Sequence, residues 1–151
     1  MGVCELLTIQ QANLSDSISV ARLAQMLWPH HTAEELQLEF EPLLAGSDAA
    51  VFLACFNTIP VGFAQCQLRH DYVEGTSSSP VGYLEGIFVM PAYQKHGLAR
   101  ALLAACEHWA KEKGCTEFAS DCELANVESL RFHLCMGFEE ANRIICFTKK
   151  L

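Results

Sequence analysis

Apolar and polar positions follow two different periods along the chain, and these periods predict a mixed α/β fold. Apolar runs bounded by turn residues predict strands, the last of them a strand or hairpin, at 4–10, 49–56, 61–71, 81–90, 116–120 and 138–149. Apolar residues at helical spacing predict helices at 18–27, 33–44, 98–113 and 126–136. The order β-α-α-β-β-β-α-β-α-β predicts a mixed sheet covered by helices.

Turn and capping residues mark where several of these elements begin and end. Thr32 and Glu35 have the spacing of a capping box, in which each side chain bonds the backbone N–H of the other residue. Asn57 and Thr58 separate two apolar runs and predict a hairpin turn. Gly114 follows the third helix and is typical of the residue that caps a helix C-terminus.

The length of 151 residues corresponds to one ordinary domain, and no linker, repeat or low-complexity tract divides the sequence. Apolar residues make up 51% and charged residues 19% of the chain, a composition that excludes a disordered protein. Apolar runs stay well below the roughly 20 residues that a membrane-spanning helix needs. The first residues carry neither the basic nor the apolar region of a secretory signal. We therefore expect a single domain over residues 1–151, located in the cytoplasm.

Ten basic residues stand against eighteen acidic ones, which gives a formal net charge of −8. This balance argues against nucleic acid as a partner, because nucleic acid selects basic surfaces. It suits a cationic partner, since a negative field attracts positive charge. Solubility alone also explains the charge, and both interpretations stay open at this point.

Eight cysteines occur, and most of them lie inside apolar runs such as residues 51–56. Their positions are Cys4, Cys55, Cys66, Cys106, Cys115, Cys122, Cys135 and Cys146. The sequence has no Cys-x-x-Cys pair and no cysteine–histidine cluster with zinc-ligand spacing, so we expect no metal site. We expect the cysteines to be buried free thiols in a reducing compartment.

The segment 83–100 carries the clearest chemical signal, because a buried strand runs into a short loop that opens a long helix. The motif Gln-x-x-Gly-x-Ala begins at Gln94 and places small residues where the helix starts, so that backbone N–H groups are exposed. Such a helix N-terminus binds phosphate, and Lys95, His96 and Arg100 add positive charge suited to a pyrophosphate. The pattern alone is also compatible with an ordinary turn, and it matches neither the Walker nor the dinucleotide fingerprint.

Strand, Gln-x-x-Gly-x-Ala and helix together resemble the acetyl-coenzyme A motif of the GNAT acetyltransferases. The pattern Asn126-x-x-Ser129-x-x-x-His133-x-x-x-Gly137-Phe138 is similar to the last helix of that family and the Gly-Phe that follows it. Further stretches resemble the bacterial aminoglycoside 6′-N-acetyltransferases of the chromosomal type, at 27–29, 69–75, 78–80, 84–89, 119–121 and 137–140.

The resemblance implies the GNAT fold, an α/β fold whose mixed, largely antiparallel sheet splays open at the acetyl-coenzyme A site. The pantetheine arm would lie in the split and pair like a strand with Phe88 and Val89, where Gly86 fits a bulge. The pyrophosphate would rest on the backbone at 94–99. The implied coenzyme-binding residues are Ile87, Phe88, Val89, Gln94, Lys95, His96, Gly97, Leu98, Ala99, Arg100, Asn126 and Ser129.

The resemblance also implies an acceptor cleft, in which carboxylates meet ammonium groups and aromatic rings pack on sugars. Its residues would be Trp28, Tyr72, Glu74, Glu85 and Asp121. From the pattern alone, Glu85 is also compatible with an outward-facing edge position, and Asp121 with a turn or a helix cap. The remaining three residues likewise suit packing in the core or on the surface.

Two residues are candidates for proton transfer. Glu85 is the one charged residue in an apolar strand, so its carboxylate must be paired, hydrated or functional. We expect it to accept the proton of the amine, directly or through a water, while backbone N–H groups at 86–88 hold the oxyanion. His133 stands where many GNAT enzymes carry a tyrosine acid. Its imidazolium would protonate the leaving thiolate, although a core or capping histidine fits the pattern equally well.

The function implied is transfer of the acetyl group of acetyl-coenzyme A to the 6′-amine of aminoglycosides, by direct attack in a ternary complex, which confers antibiotic resistance. An acetyltransferase for another amine, such as a polyamine or a protein amino group, stays open as an alternative. A non-catalytic acetyl-coenzyme A-binding module is a third possibility. The enzymes of the resembling group are commonly dimers, and the apolar segment 144–147 is suited to pairing across chains. We therefore expect a homodimer, with neither nucleic acid nor membrane as a partner.

Overall fold

The computed structural model describes residues 5–151, and in that part of the chain it contains five strands and four α-helices. The strands are β1 (Leu7–Gln11), β2 (Ala49–Phe56), β3 (Ile59–Arg69), β4 (Val81–Val89) and β5 (Phe118–Ser120). The helices are α1 (Ser17–Leu27), α2 (Ala33–Ala45), α3 (Leu98–Glu112) and α4 (Val127–Cys135). The predicted order of elements is confirmed through α4. The predicted first strand begins later than expected, at Leu7, and Cys4 lies outside the described residues.

All five strands belong to one sheet, in the order β1-β2-β3-β4-β5. The first four strands are antiparallel to their neighbours, whereas β5 is parallel to β4. A parallel pair needs a long crossover connection, and α3 supplies it between β4 and β5. The sheet is therefore mixed and largely antiparallel, as the sequence predicted.

Local sequence signals account for the turns and helix ends. Asn57 and Thr58 join β2 to β3 with φ angles of 46° and 73°, which is the left-handed geometry that suits a two-residue hairpin. Thr32 and Glu35 form the predicted capping box: the Thr32 hydroxyl accepts the Glu35 N–H at 3.1 Å, and the Glu35 carboxylate accepts the Thr32 N–H at 3.0 Å. Gly114 follows α3 with a φ of 88°, as expected of a C-cap glycine.

Helices cover both faces of the sheet. On one face, α1 and α2 pack around the fully buried Phe63, whose ring meets that of Phe40 edge-on. On the other face, α3 buries Leu102, Cys106 and Trp109 against the strands. Each Leu or Phe side chain that leaves water stabilises the fold by about 1.5–3 kcal/mol. The apolar faces predicted from helical spacing are the faces that hold the helices on the sheet.

The pairing of β4 with β5 is short and leaves the sheet open. It extends only over residues 82–84 of β4 and 118–120 of β5. In the described chain, β4 continues to Val89 with β3 as its one strand neighbour. The sheet is thus splayed beyond Leu84, in agreement with the resemblance.

The predicted final strand or hairpin at 138–149 is wrong for this chain. Residues 138–151 follow α4 without regular secondary structure. Ile144, Ile145 and Phe147 expose 70%, 81% and 88% of their surface. The composition of this segment suits a strand, but a strand is held by the hydrogen bonds and packing of a neighbour. The described part of this chain offers no such neighbour to the segment.

The prediction for the cysteines holds in part. Cys55, Cys66, Cys106 and Cys115 are buried free thiols within the core. Cys122, Cys135 and Cys146 are also free but exposed, which corrects the prediction for them. All three follow β5, and they lie at exposed positions of a region whose contact with the core is made by other side chains, such as Phe132 and Met136.

Among residues 5–151, no helix is both long and apolar enough to cross a membrane. The same residues bring together no group of three or more histidine, cysteine, aspartate or glutamate side chains that could hold a metal ion.

Candidate active site

A bulge in β4 sets the geometry of the candidate site. The register between β3 and β4 shifts by one residue, because Gln65 faces Gly86 while Cys66 faces Leu84, so Glu85 is the extra residue. Gly86 beside it lies against Trp28 of the α1–α2 connection, and a Cβ atom at this position would be 2.8 Å from the indole ring. The glycine in this strand is therefore explained by the close approach of an aromatic ring.

Beyond the bulge, β4 turns alternate backbone groups toward the split. Met90 N–H donates to Val61 O at 2.8 Å, so the alternation of an antiparallel pair directs Phe88 toward β3 and both Ile87 and Val89 away from it. The side-chain amide of Gln94 donates to Val89 O at 3.0 Å, from the side of the split. The Ile87 backbone and the Val89 N–H thus form a strand edge that an extended ligand can pair with, whereas the Val89 carbonyl is already bonded to Gln94. The expectation that Phe88 pairs on this edge is corrected, because the Phe88 backbone faces β3.

The connection from β4 to α3 ends in a helix N-terminus with left-handed backbone geometry. Lys95 and Gly97 have φ angles of 66° and 76°, and α3 begins at Leu98. A Cβ atom built on Gly97 has nothing within 4 Å, so open space lies beside this residue at the start of the helix. Lys95 and His96 are exposed on this loop. A helix N-terminus with free N–H groups and nearby positive charge suits an anion such as a phosphate.

Side-chain hydrogen bonds organise α4 and connect it to the end of β5. The Asn126 side chain caps the helix by accepting the Ser129 N–H at 3.0 Å. His133 Nδ1 is 2.7 Å from Ser129 O, and its Nε2 is 2.8 Å from Ser120 Oγ. Because a carbonyl oxygen only accepts, Nδ1 carries a proton in this arrangement. Ser120 Oγ is also 3.3 Å from Leu84 O, so His133 is connected to the point where β4 and β5 separate.

The Glu85 carboxylate is paired with Arg69 at the end of β3. Arg69 Nε and Nη2 donate to Glu85 Oε1 at 3.1 and 2.9 Å, and Nη2 also donates to Oε2 at 3.0 Å. The side chains of Arg69 and Glu85 expose 39% and 20% of their surface, so the pair is partly desolvated. The sequence left open whether Glu85 would be paired, hydrated or functional, and the structure shows that it is paired.

The same arginine connects Glu85 to Asp121. The guanidinium carbon of Arg69 lies 3.4 Å from the centroid of the Tyr83 ring, which is a cation–π contact. The Tyr83 hydroxyl donates a short hydrogen bond to Asp121 Oδ2. Burial, reinforced by this bond to Asp121, raises the pKa of the Tyr83 phenol, which therefore remains a donor. Two residues predicted separately, Glu85 and Asp121, are thus joined in one array.

Trp28 borders a cleft on the α1–α2 side of the sheet. The cleft has a volume of about 250 Å³ and includes Glu39 and Gln65 in its lining. The Trp28 ring meets the buried Phe63 ring edge-on at 6.1 Å, which fixes the indole at the wall of the cleft. An aromatic wall with a nearby carboxylate is suited to a sugar that carries ammonium groups.

The other two predicted acceptor residues lie on the loop between β3 and β4. Tyr72 is 77% exposed. Glu74 Oε1 accepts a hydrogen bond of 3.1 Å from Asn142 Nδ2, so the segment after α4 reaches this loop. The opposite part of the loop is held by Glu117, which accepts from Ser77 N–H at 2.9 Å and from the Ser78 hydroxyl. These bonds hold Glu74 to the segment after α4 and place it outside the Arg69-centred array.

The comparison with known proteins agrees with this arrangement. The acetyltransferase (GNAT) family profile matches residues 19–138. The chain belongs to the GNAT family. It also belongs with the aminoglycoside N(6′)-acetyltransferases of type 1: it is 46% identical over 145 residues to one from Stenotrophomonas maltophilia, covering 95% of this chain and 94% of that protein. It is 39% identical to one from Salmonella typhimurium strain LT2, covering 94% and 98% of the two chains.

Solved structures give the same result for the fold. The aminoglycoside N-acetyltransferase AAC(6′)-Iy in complex with CoA is similar at a TM-score of 0.95 and 37% identity, covering 100% of this chain and 99% of that one. AAC(6′)-Iy with the bisubstrate analogue CoA-S-monomethyl-acetylneamine is similar at a TM-score of 0.92 and 38% identity, covering 97% and 99%. The predicted GNAT fold and family are confirmed. The protein is an acetyl-coenzyme A-dependent N-acetyltransferase, and acetyl-coenzyme A is its cosubstrate.

Three polar residues of this enzyme's site were not singled out from the sequence. Arg69 and Tyr83 complete the array between Glu85 and Asp121, and Asn142 bonds Glu74. Arg69 gave no comparable signal, because its strand also carries Gln65 and Gln67 and the predicted strand ran on through two further polar residues. Asn142 lies in a segment predicted to be a strand, so its contact with the loop was not accessible from the pattern.

Proposed function

We propose that the protein transfers the acetyl group of acetyl-coenzyme A to the 6′-amine of aminoglycoside antibiotics. The observation that carries this proposal is the position of Glu85: its carboxylate sits at the bulge where β4 leaves β5, next to the free strand edge. A thioester bound along that edge and a cationic amine attracted by the carboxylate would meet there. The identity to type 1 aminoglycoside N(6′)-acetyltransferases, over nearly the whole of each chain, supports the same acceptor class.

The coenzyme half of the proposal uses mainly backbone groups. The pantetheine arm pairs with the strand edge at Ile87 and the Val89 N–H, and the pyrophosphate rests on the N–H groups at 94–99. The alternation of the β3–β4 pair supports the first contact, and the open space beside Gly97 supports the second. Asn126 and Ser129 are proposed to contact the coenzyme from the start of α4.

The acceptor half of the proposal uses acidic and aromatic side chains. Glu85, Asp121 and Glu74 attract the ammonium groups of the acceptor, while Trp28 and Tyr72 pack on its sugar rings. The formal net charge of −8 supports a polycationic acceptor, because the field of the whole protein favours its approach.

The reaction proceeds by direct attack in a ternary complex. The 6′-amine is protonated at neutral pH and must lose a proton before its lone pair can attack the thioester carbon. Glu85 accepts this proton, directly or through a water, and the Ile87 N–H in the split stabilises the oxyanion. As the C–S bond breaks, the nitrogen of the tetrahedral intermediate releases its second proton to solvent, and the thiolate takes a proton. His133 is the proposed source. Since its Nδ1–H bonds Ser129 O, the transferred proton leaves from Nε2, which bonds the Ser120 hydroxyl, and solvent returns a proton to the ring.

The test measures release of free coenzyme A thiol with kanamycin, spermidine and a lysine peptide as separate acceptors. We expect turnover with kanamycin and a product acetylated at the 6′-amine, identified by NMR. Expression in a susceptible bacterium should raise the inhibitory concentration of kanamycin. Turnover only with spermidine or the peptide would replace the aminoglycoside with another amine. Coenzyme binding without turnover on any amine would indicate a binding module.

We also propose that the enzyme is a homodimer. β5 is the last strand of the sheet, and the described residues leave its outer edge unpaired. Residues 138–151 have no regular secondary structure, are rich in exposed apolar side chains and pair with no strand of the described chain. An unpaired edge and an unpaired apolar segment are complementary between two copies.

Sedimentation should show a dimer that Phe147→Asp weakens, whereas Leu38→Asp, at an apolar residue exposed on α2, leaves it intact. A monomeric wild type would contradict the proposal.

We propose the cytoplasm as the compartment of the enzyme. The support is the state of the cysteines, since the seven described ones are free thiols and four of them are buried in the core. Free thiols persist in a reducing compartment. Fractionation of cells that express the protein should recover the acetyltransferase activity with cytoplasmic markers.

A further inference from the structure

Arg69 is the cation of an otherwise acidic acceptor site. Its guanidinium bonds both oxygens of Glu85 and lies on the ring of Tyr83, which bonds Asp121. The four side chains come from β3, β4 and the residue that follows β5, so the array crosses the sheet where it splays. None of the coenzyme contacts proposed above involves Arg69.

The charge of Arg69 opposes binding of the acceptor. A polycation approaching Glu85 and Asp121 meets a fixed positive charge within 3.1 Å of one of these carboxylates. Two like charges at contact distance repel, and at this partly exposed position water and salt screen the repulsion to a modest effect on binding. An arginine that weakens substrate binding needs a compensating role if it is to favour the reaction.

The geometry of the ion pair supplies that role. Three N–H···O bonds fix the plane of the Glu85 carboxylate, because the guanidinium presents its donors in a rigid fork. A carboxylate offers about four lone-pair positions in all. At least one therefore stays available, in a direction that Arg69 determines. The guanidinium in turn is held by its contact with the face of the Tyr83 ring.

We propose that Arg69 is a positioning residue of the acceptor site. It orients the Glu85 carboxylate toward the reacting amine, and its positive charge at the same time weakens binding of the acceptor. This inference rests on the proposed transfer to an amine at Glu85. Arg69 acts through Glu85 and touches neither the thioester nor the amine. Because it orients the group that takes the proton, its loss affects turnover more than binding.

Two substitutions separate the charge of Arg69 from its geometry. Arg69→Gln removes both, so kcat should fall about tenfold or more, as expected for a misplaced catalytic group. The KM for kanamycin should stay level or fall, by about two- to fivefold if one like charge is removed. Arg69→Lys restores the charge without the fork. It should return the KM to the wild-type value while kcat remains reduced.

The matched control is Arg22→Gln, which makes the same charge change at an exposed arginine of α1. It should leave kcat and both KM values within twofold of the wild type. The KM for acetyl-coenzyme A should be unchanged in every variant, and thermal unfolding checks that each one is folded. A double variant, Arg69→Gln with Glu85→Gln, should have a kcat no lower than that of Glu85→Gln alone, because Arg69 acts through that carboxylate.

The outcomes distinguish this inference from the proposed function. If the wild type acetylates spermidine or the peptide in place of kanamycin, the proposed acceptor class is wrong. The inference on Arg69 is then tested by measuring kcat and KM of each variant, relative to the wild type, with the amine that is accepted. A rise in the acceptor KM of Arg69→Gln would show that Arg69 helps to bind the acceptor and would overturn the inference. So would a double variant far slower than Glu85→Gln, and so would a wild type that turns over no amine.

Discussion

The proposed coenzyme half and the proposed acceptor half of the site are built in opposite ways. The coenzyme half is formed mainly by one continuous stretch, in which β4 leads through the loop at 94–97 into α3, and backbone groups define its shape. The acceptor half gathers side chains from distant segments, namely Trp28, Arg69, Tyr83, Glu85, Asp121 and Asn142. A substitution in the first half must change the backbone to have a large effect. In the second half, the loss of one functional group is enough.

The largest effect is expected for Glu85→Gln, at the point where the two halves meet. The amide keeps the size of the side chain but cannot take a proton from the amine. We expect kcat with kanamycin to fall by about 10²-fold or more at neutral pH, which is typical for loss of a general base. Since free amine accumulates as the pH rises, the loss should shrink toward alkaline pH. Initial rates of thiol release from pH 6 to 9 measure both effects.

Glu112→Gln on the exposed side of α3 is the matched control for this variant, and it should behave as the wild type. Near-normal turnover of Glu85→Gln across the whole pH range would show that Glu85 is not the base. Asp121 or solvent would then become the next candidate.

A smaller effect, confined to the coenzyme, is expected for Gly97→Asp. Gly97 has a left-handed backbone, and the new carboxylate would enter the open space proposed for a phosphate. Affinity for coenzyme A should fall more than tenfold, or about 1.4 kcal/mol or more. Calorimetric titration with coenzyme A measures the change directly, without an acceptor.

Gly114→Asp provides a close control for the glycine. Gly114 also has a left-handed backbone, with a φ of 88° and open space around it, but it lies at the far end of α3. Gly114→Asp therefore introduces the same strain in a left-handed backbone and the same negative charge, but away from the proposed coenzyme site. If both variants lose the same coenzyme affinity, the loss comes from a less stable fold and the phosphate-binding role of Gly97 is contradicted.

The contrast between the two halves also explains what the sequence predicted. The β4–α3 stretch was read correctly as strand, tight loop and helix, because periodicity and small residues act over short distances along the chain. The bulge was anticipated from a glycine inside an apolar strand, although the ring of Trp28 that occupies its space was not. Backbone geometry of this kind is encoded locally.

Side-chain partners across the sheet are not encoded in the same way. Glu85 was recognisable as a charge that needed a partner, but which residue would pair with it depended on the register between β3 and β4. The bulge sets this register, and a shift of one residue exchanges the two faces of a strand. The segment at 138–149 was misread for a related reason: its apolar pattern is that of a strand, but a strand also needs a pairing neighbour, and the pattern alone does not supply one.

Within the acceptor half, Asp121→Asn should have an intermediate effect. Removing the charge should raise the KM for kanamycin by about fivefold, as expected for one partly screened ion pair, and should weaken the dependence of KM on salt. Acetyl-coenzyme A affinity should be unchanged. Tyr83→Phe keeps the charge but removes the hydroxyl that bonds Asp121, so it should raise KM less and leave the salt dependence intact. Parallel losses for both substrates would instead indicate a folding defect.

The smallest effect is expected at the contact between Glu74 and the segment after α4. Asn142→Ala removes a hydrogen bond between exposed groups, which is worth about 0.5 kcal/mol or slightly more. The KM for kanamycin should therefore rise by about two- to threefold, because Glu74 loses its orientation, while coenzyme affinity stays constant. Combining Asn142→Ala with Glu74→Gln should add nothing to Glu74→Gln alone, since the amide acts only through that carboxylate. If Glu74→Gln raises KM while Asn142→Ala has no effect, Glu74 binds the acceptor without help from the C-terminal segment. The acceptor half would then end at the loop between β3 and β4.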